Sequence, residues 1–330
     1  MGRIYGKIYD LVALSPFDCV PATRNLDRII DCQTVFRRSW LESLPRLTSD
    51  GSKSIIAIDS LSDAILQSAH TIWNGSRTLA EIRENRVKQK LGRGEVAVVL
   101  SGNTTPDMVE FMGTLDFDGV WVEGEHGPID FADIPDITRA CDLWGLTSVV
   151  RVNANEPGTI YRTLDVGAQG IVVPHVNTAD EARAVVDASK FAPIGHRGMF
   201  TSRQGTGVAD YVHKANDHTL VVILIEDIIA ANNLSEILEV DNIDVFFVAP
   251  GDLAQSMGFL GQVTHPEVQS VIDNAFAQIK AAGRTSGALA NDANIESYIG
   301  QGVTFFMTGW APWAAAGARS FLDKVAGASS

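Results

Sequence analysis

Cysteine is scarce in this chain of 330 residues: there are three, at positions 19, 32 and 141, odd in number and far apart. Disulfide frameworks and zinc sites use cysteines in pairs at short spacing, so the pattern favours buried thiols in a reducing, cytoplasmic setting. Long apolar runs are missing as well. The longest, Leu220 to Ala231, is broken by Glu226 and Asp227 and falls short of the roughly 18 residues that a membrane span needs. Near the start, Asp10, Pro16 and Asp18 interrupt the apolar stretch of a secretion signal, and Gly6 breaks the myristoylation pattern that opens at Gly2. Positive charge is also in short supply. With 26 Lys and Arg against 40 Asp and Glu, the net charge is −14, which argues against nucleic acid or an anionic membrane surface as partner. An anionic small molecule must then be held by local cations or by a metal ion.

What is present is an ordinary folded composition, 45% hydrophobic and 20% charged. From about Glu95 onward, short β-branched runs alternate with amphipathic stretches of helical length. The runs predict strands over 96–100, 119–123, 148–152, 170–174, 220–225, 244–248, 285–289 and 303–307. Helical spacing appears over 178–190, 268–282 and 313–325. Eight βα units predict a closed (β/α)8 TIM barrel, and no G-x-G-x-x-G follows the first strand to favour an open dinucleotide-binding sheet. Residues 1–84 read as a helical N-terminal extension, with a linker over 45–53, and residues 85–330 as the barrel. Thr78 and Glu81 have capping-box spacing, predicting a helix that runs to about Leu91 and closes the bottom of the barrel.

In such a barrel, catalytic groups stand at the C-terminal ends of the strands. Strand two runs into Glu123 and His126, strand three ends at Arg151, strand four leads to His175, strand five ends at Glu226, and Asp252 follows strand six. Glu226 and Asp252 form a carboxylate pair suited to a hard divalent ion, Mg²⁺ first and Mn²⁺ or Co²⁺ next. Each could equally cap the helix that follows or pair with an arginine. The planar fork of Arg151 suits a carboxylate or a developing enolate oxygen, with Asp165 as the acid that would hold it in a purely structural pair. His126 carries an imidazole, the side chain most often used for proton transfer, with Glu123 or Glu125 orienting it.

The segments DGVWVEGEHGPID (118–130), VRV (150–152), LDVGAQGIVVP (164–174), DEAR (180–183), GHRG (195–198), Ile225-Glu226 and APGDL (249–253), in this order, resemble the HpcH/HpaI aldolase family from about Asn85 to the C-terminus. The resemblance implies a metal-dependent class II pyruvate aldolase on a (β/α)8 barrel, a homo-oligomer built from dimers, up to a hexamer, whose copies exchange the last helix. It further implies that Glu226 and Asp252 bind the metal, Arg151 stabilises a pyruvate enolate, His126 moves a proton, and the backbone of Ala249, Pro250 and Gly251 receives the carboxylate of a small 2-oxo acid. Oxaloacetate decarboxylation would use the same electron sink. Three departures stand out. Leu224 occupies the place of a common Gln, Glu123 that of an Asp, and Trp121 and His175 are similar in placement to residues of a fungal relative. Phe200 and Tyr211 are expected to add aromatic walls. Citrate-forming or CoA-thioester lyase chemistry, or a catalytically weak barrel kept for binding, are the alternatives.

Overall fold

The computed structural model describes residues 80–329. Eight parallel strands close in sequence order into a barrel: β1 (Ala97–Ser101), β2 (Gly119–Glu123), β3 (Thr147–Arg151), β4 (Gly170–Val173), β5 (Leu220–Ile225), β6 (Val245–Val248), β7 (Ser286–Leu289) and β8 (Phe305–Gly309), with β8 pairing back onto β1. The helices in chain order are α1 (Arg86–Gly92), α2 (Pro106–Gly113), α3 (Ile134–Trp144), α4 (Pro157–Asp165), α5 (Ala179–Ser189), α6 (Tyr211–His218), α7 (Ile228–Asn232), α8 (Leu234–Ile237), α9 (Pro250–Ser256), α10 (Pro266–Ala281), α11 (Ile295–Gln301) and α12 (Ala311–Ala328). The fold is the (β/α)8 TIM barrel expected from the alternation. Among the described residues no helix is long and apolar enough to cross a membrane.

The strands are apolar on both faces because both are covered. Alternate residues Val99, Trp121, Val149, Val172, Val222, Phe247 and Phe305 fill the barrel interior. Their neighbours Leu100, Val120, Val150, Ile171, Ile223 and Phe246 face the helices. Local signals start the helices: Thr105 caps α2, and Thr178 and Glu181 form a complete capping box at α5. Cys141 on α3 is wholly buried, and burial, with the charge of Asp142 adding, pushes its thiol pKa far up.

Of the expected extension over residues 1–84, residues 1–79, with the linker and Thr78, lie outside the described residues. The helix expected to run from there to about Leu91 is corrected over residues 80–85. Residues 81–85 are not helical, Ala80 forms a β-bridge with Val208, and α1 starts only after Asn85. Asn85 accepts from the backbone N–H of Lys88 (3.0 Å) and donates to the carbonyls of Gln169 (3.1 Å) and His218 (2.9 Å). These long-range bonds outweigh the local capping-box spacing. Helix α1 does close the N-terminal end of the barrel, with Val87 buried in the interior core.

That end is laced by ion pairs. Asp118 meets Arg86 (2.9 Å) and Lys90 (2.8 Å), Asp142 meets Arg83 (3.3 Å) and Arg203 (2.6 Å), and Lys88 pairs with Asp244. The buried Lys190 donates to the carbonyls of Asn216 (2.7 Å) and Thr219 (2.8 Å).

Candidate active site at the C-terminal rim

Glu123 and Arg151 are register partners at the ends of β2 and β3. The guanidinium Nε lies 2.8 and 3.0 Å from the two Glu123 oxygens, one terminal nitrogen lies 2.7 Å from Glu123 Oε2, and the other reaches Glu125 Oε2 at 2.9 Å. Glu123 also accepts from Trp121 Nε1 (3.2 Å) and from the backbone N–H groups of Glu125 (2.9 Å) and His126 (3.0 Å). The tightness of this turn explains its glycines. A Cβ at Gly124 would lie 2.5 Å from the Arg151 carbonyl, and one at Gly127 would lie 2.7 Å from the Glu123 carbonyl. Burial alone would raise the Glu123 pKa. The hydrogen bonds from Arg151 and the two backbone donors outweigh it, and the carboxyl sits below its ordinary range.

Trp121 is 1% exposed, packs on Phe247 with ring centroids 5.3 Å apart, and forms the floor beneath Arg151. Leu224, also buried, belongs to the same interior layer. On β5, Glu226 is only 2% exposed. Burial raises its pKa, the backbone N–H of His175 (2.7 Å to Oε1) partly offsets this, and the negative charges of Glu125 and Asp252 push it further up. His175 holds this geometry in a left-handed backbone conformation, φ +57°. Its ring lies between two carboxylates, Nδ1 3.2 Å from Glu226 and Nε2 3.4 Å from Glu125. The His126 ring projects into solvent, with Nε2 3.8 Å from Glu125. Ala249, Pro250 and Gly251 form the turn from β6 into α9, whose first turn carries Asp252.

Three expected site residues are absent from this rim. Asp165 ends α4 and pairs with Arg197 (2.7 Å), not with Arg151. Tyr211 begins α6, buried, with its hydroxyl 2.6 Å from Ser202 Oγ. Phe200 lies exposed in the segment just before it. All three stand where a helix or loop leads into the next strand, at the N-terminal end of the barrel, so Phe200 and Tyr211 cannot wall a site at the other end of the same barrel. Glu125, in contrast, proves more central than its place in the turn implies. It touches Arg151 and approaches both His126 and His175. The doubled Glu-Gly-Glu ahead of the histidine was its one sequence signal.

A cation fits this donor set as a partial cage. A buried carboxylate with two like-charged neighbours is stabilised by a positive ion placed among them. Among the described residues no three His, Cys, Asp or Glu side chains form a complete ligand group. Glu226 and Asp252 stand at the ends of neighbouring strands, and a hard divalent ion is commonly held by one or two carboxylates with water or substrate oxygens in the remaining positions.

A closed parallel eight-stranded barrel with carboxylates, histidines and an arginine at its C-terminal strand ends is an enzyme scaffold. The family model described as HpcH/HpaI aldolase/citrate lyase matches residues 97–311, and the chain belongs to that family of lyases. The 4-hydroxy-2-oxo-heptane-1,7-dioate aldolase of Salmonella dublin is 38% identical over 225 residues, 67% of this chain and 85% of that one. The crystal structure of a family protein from Burkholderia cenocepacia J2315 matches with TM-score 0.69 and 29% identity, over 73% of this chain and 99% of that one. Macrophomate synthase, 22% identical with TM-score 0.67 over 76% of this chain and 92% of its own, shares the fold.

Proposed function

We propose that this chain is a divalent-metal-dependent carbon–carbon lyase that works through a pyruvate enolate on short 2-oxo acids, by aldol cleavage and by oxaloacetate decarboxylation. The observation that carries the reading is the convergence, on one rim, of the buried Glu226 with Asp252 and of Arg151 with a strongly held Glu123. Glu226 and Asp252 would hold the ion, Mg²⁺ before Mn²⁺ or Co²⁺. When bound, it supplies positive charge beside the oxygen on which electrons collect. In aldol cleavage the C3–C4 bond of the 4-hydroxy-2-oxo acid breaks, its electron pair moves to the C2 oxygen, and the hydroxyl proton passes to His126, directly or through water. An aldehyde leaves, and C3 of the enolate then takes up a proton to give pyruvate. Arg151, held by Glu123 and Glu125, would turn the N–H groups not engaged by them toward the enolate oxygen. Trp121 and His175 bound the substrate from below and from the β4 side, and the Ala249–Gly251 backbone receives the carboxylate. Decarboxylation needs no base, because departing CO₂ leaves the electrons behind.

In the same reading residues 1–84 are an arm for packing or assembly, residues 85–330 are the catalytic barrel, and copies exchange the last helix. Support for that exchange comes from α12, which has no buried residue and exposes Phe321, Leu322 and Val325. A cytoplasmic setting fits the small, odd number of widely spaced cysteines. The test is direct: the full chain should release pyruvate and CO₂ from oxaloacetate with a divalent ion, lose this on EDTA treatment and regain it on Mg²⁺, Mn²⁺ or Co²⁺ addition. Undiminished activity after exhaustive chelation would refute the metal reading.

A further inference from the structure

The turns that follow β5 and β6 are tied together beyond the strand ladder. Ile225 and Val248 are register partners at the ends of these strands, and the ladder closes with the Ala249 N–H on the Ile225 carbonyl (3.1 Å). From there the two segments part. One runs through Glu226 and Asp227 into α7, the other through Ala249 into α9, whose first turn carries Asp252. At the far end of α9 stands Ser256. Its Oγ accepts from the backbone N–H of Ile228 (2.9 Å), the first residue of α7 and two past Glu226. The same hydroxyl donates to the Leu253 carbonyl (2.8 Å), so its proton is committed within α9 and a lone pair is left for α7.

Helix geometry gives this bond its meaning. Asp252 and Ser256 are four residues apart, hence on one face of α9, and the side chain of each leans toward the helix start. The face that grips the Glu226 turn is therefore the face that carries Asp252. Leu253 and Ala254, both fully buried, lock the far side of the helix into the core and keep α9 from rolling. The charge of Asp252 reaches Glu226 and adds to the rise of its pKa, in keeping with this facing. On its other flank the same turn is held to the β4 turn. The His175 N–H donates to Glu226 Oε1 (2.7 Å), and Asn233 Nδ2, just past α7, donates to the Asn177 carbonyl (2.9 Å).

We propose, resting on the metal-dependent lyase reading above, that Ser256 is a positioning residue: through the Ile228 N–H it sets Glu226 against Asp252, and with that the affinity of the pair for a divalent ion. Ser256 itself touches neither ion nor substrate. Two carboxylates on separate turns are carried apart by a small shift of either one. A bond that bridges the turns restricts that shift before any ion arrives.

The test titrates Mn²⁺ into the full chain by calorimetry, with no substrate present. Ser256→Ala removes the acceptor and keeps a strong helix former. Ile228→Pro removes the donor at the other end of the same bond. Position 228 opens α7, where proline is tolerated, and Asp227 before it is extended (φ −127°, ψ 147°), as a proline favours. Each variant should bind Mn²⁺ roughly three- to tenfold more weakly, the worth of one hydrogen bond. The double variant should lose less than about twofold beyond the weaker single, because both changes break one bond. Ser256→Thr, which restores the hydroxyl, should bind within about twofold of the natural chain. In oxaloacetate decarboxylation the apparent Mn²⁺ constant should rise in parallel, while kcat at saturating Mn²⁺ changes less than about twofold. Asp118→Ala, at the other end of the barrel, should lower the melting temperature and leave Mn²⁺ affinity unchanged, which separates positioning from a general loss of stability. Unaltered affinity in Ser256→Ala or Ile228→Pro, losses that add in the double variant, or equal weakening by Asp118→Ala overturns the proposal while the metal reading stands. A natural chain that binds no Mn²⁺ is a separate result: it removes the metal reading, and the proposal falls with it.

Discussion

The two ends of the barrel are built from similar residues and use them in opposite ways. At the N-terminal end four carboxylates are matched: Asp118 by Arg86 and Lys90, Asp142 by Arg83 and Arg203, Asp165 by Arg197, Asp244 by Lys88. At the C-terminal rim Arg151 meets Glu123 and Glu125 only, and burial with the like charges of Glu125 and Asp252 raises the Glu226 pKa. An enzyme that must bind a cation and an anion together keeps charge uncompensated where it works and compensated where it only holds. Stability and activity should therefore respond to substitutions at opposite ends.

The largest effect is expected at Asp252. Asp252→Ala should lower both lyase reactions on the order of 10³-fold and abolish metal binding by calorimetry. The melting temperature should hold or rise, because a like charge beside Glu226 is gone. A fall in stability matching that of an N-terminal-end variant would break the contrast. Next comes Arg151→Lys, which retains charge and loses the fork. Turnover should fall about 10²- to 10³-fold, with KM changing far less. His126→Ala sharpens the picture within the rim: aldol cleavage should drop about 10²-fold while decarboxylation is largely spared, and equal losses would assign His126 to architecture.

At the other end the sign reverses. Asp118→Ala removes the partner of two cations and an acceptor for the backbone N–H of Val98 (2.9 Å). It should cost about 2 kcal/mol in denaturant unfolding and leave kcat unchanged. The smallest effect concerns Lys190, whose pKa burial, with the charge of Lys88 adding, lowers from 10.5 to about 8. Between these values the unfolded chain binds a proton that the folded chain does not, so this residue's contribution to stability grows as pH rises. The stability difference between the natural chain and Lys190→Met should increase by on the order of 1 kcal/mol per pH unit across that window.

The sequence made the barrel readable because parallel strands, buried on both faces, appear as unbroken apolar runs. The observed β2 and β5 match the runs at 119–123 and 220–225. Others shift by a residue or two, as at β8, which starts at Phe305 rather than 303. The rim residues were legible for the same reason: each ends an apolar run or follows one within a few residues. Phe200, Tyr211 and Asp165 illustrate what composition conceals and connectivity reveals, since chain that leads from a helix into a strand returns to the N-terminal end. Glu125 was harder. Its importance depends on the β2–β3 register that brings Arg151 opposite Glu123, and a linear spacing of two does not contain that register. The entry to α1 was set by bonds from Asn85 to residues 84 and 133 positions away, beyond the reach of any local motif.

The burial of Cys141 has a practical side. Its thiolate is suppressed and its sulfur is shielded, so the barrel should be silent toward maleimides and other thiol-directed probes while folded. The other cysteines, Cys19 and Cys32, both lie in the first 79 residues. A fluorophore that attaches under native conditions would therefore leave Cys141, and with it the catalytic barrel, unmarked.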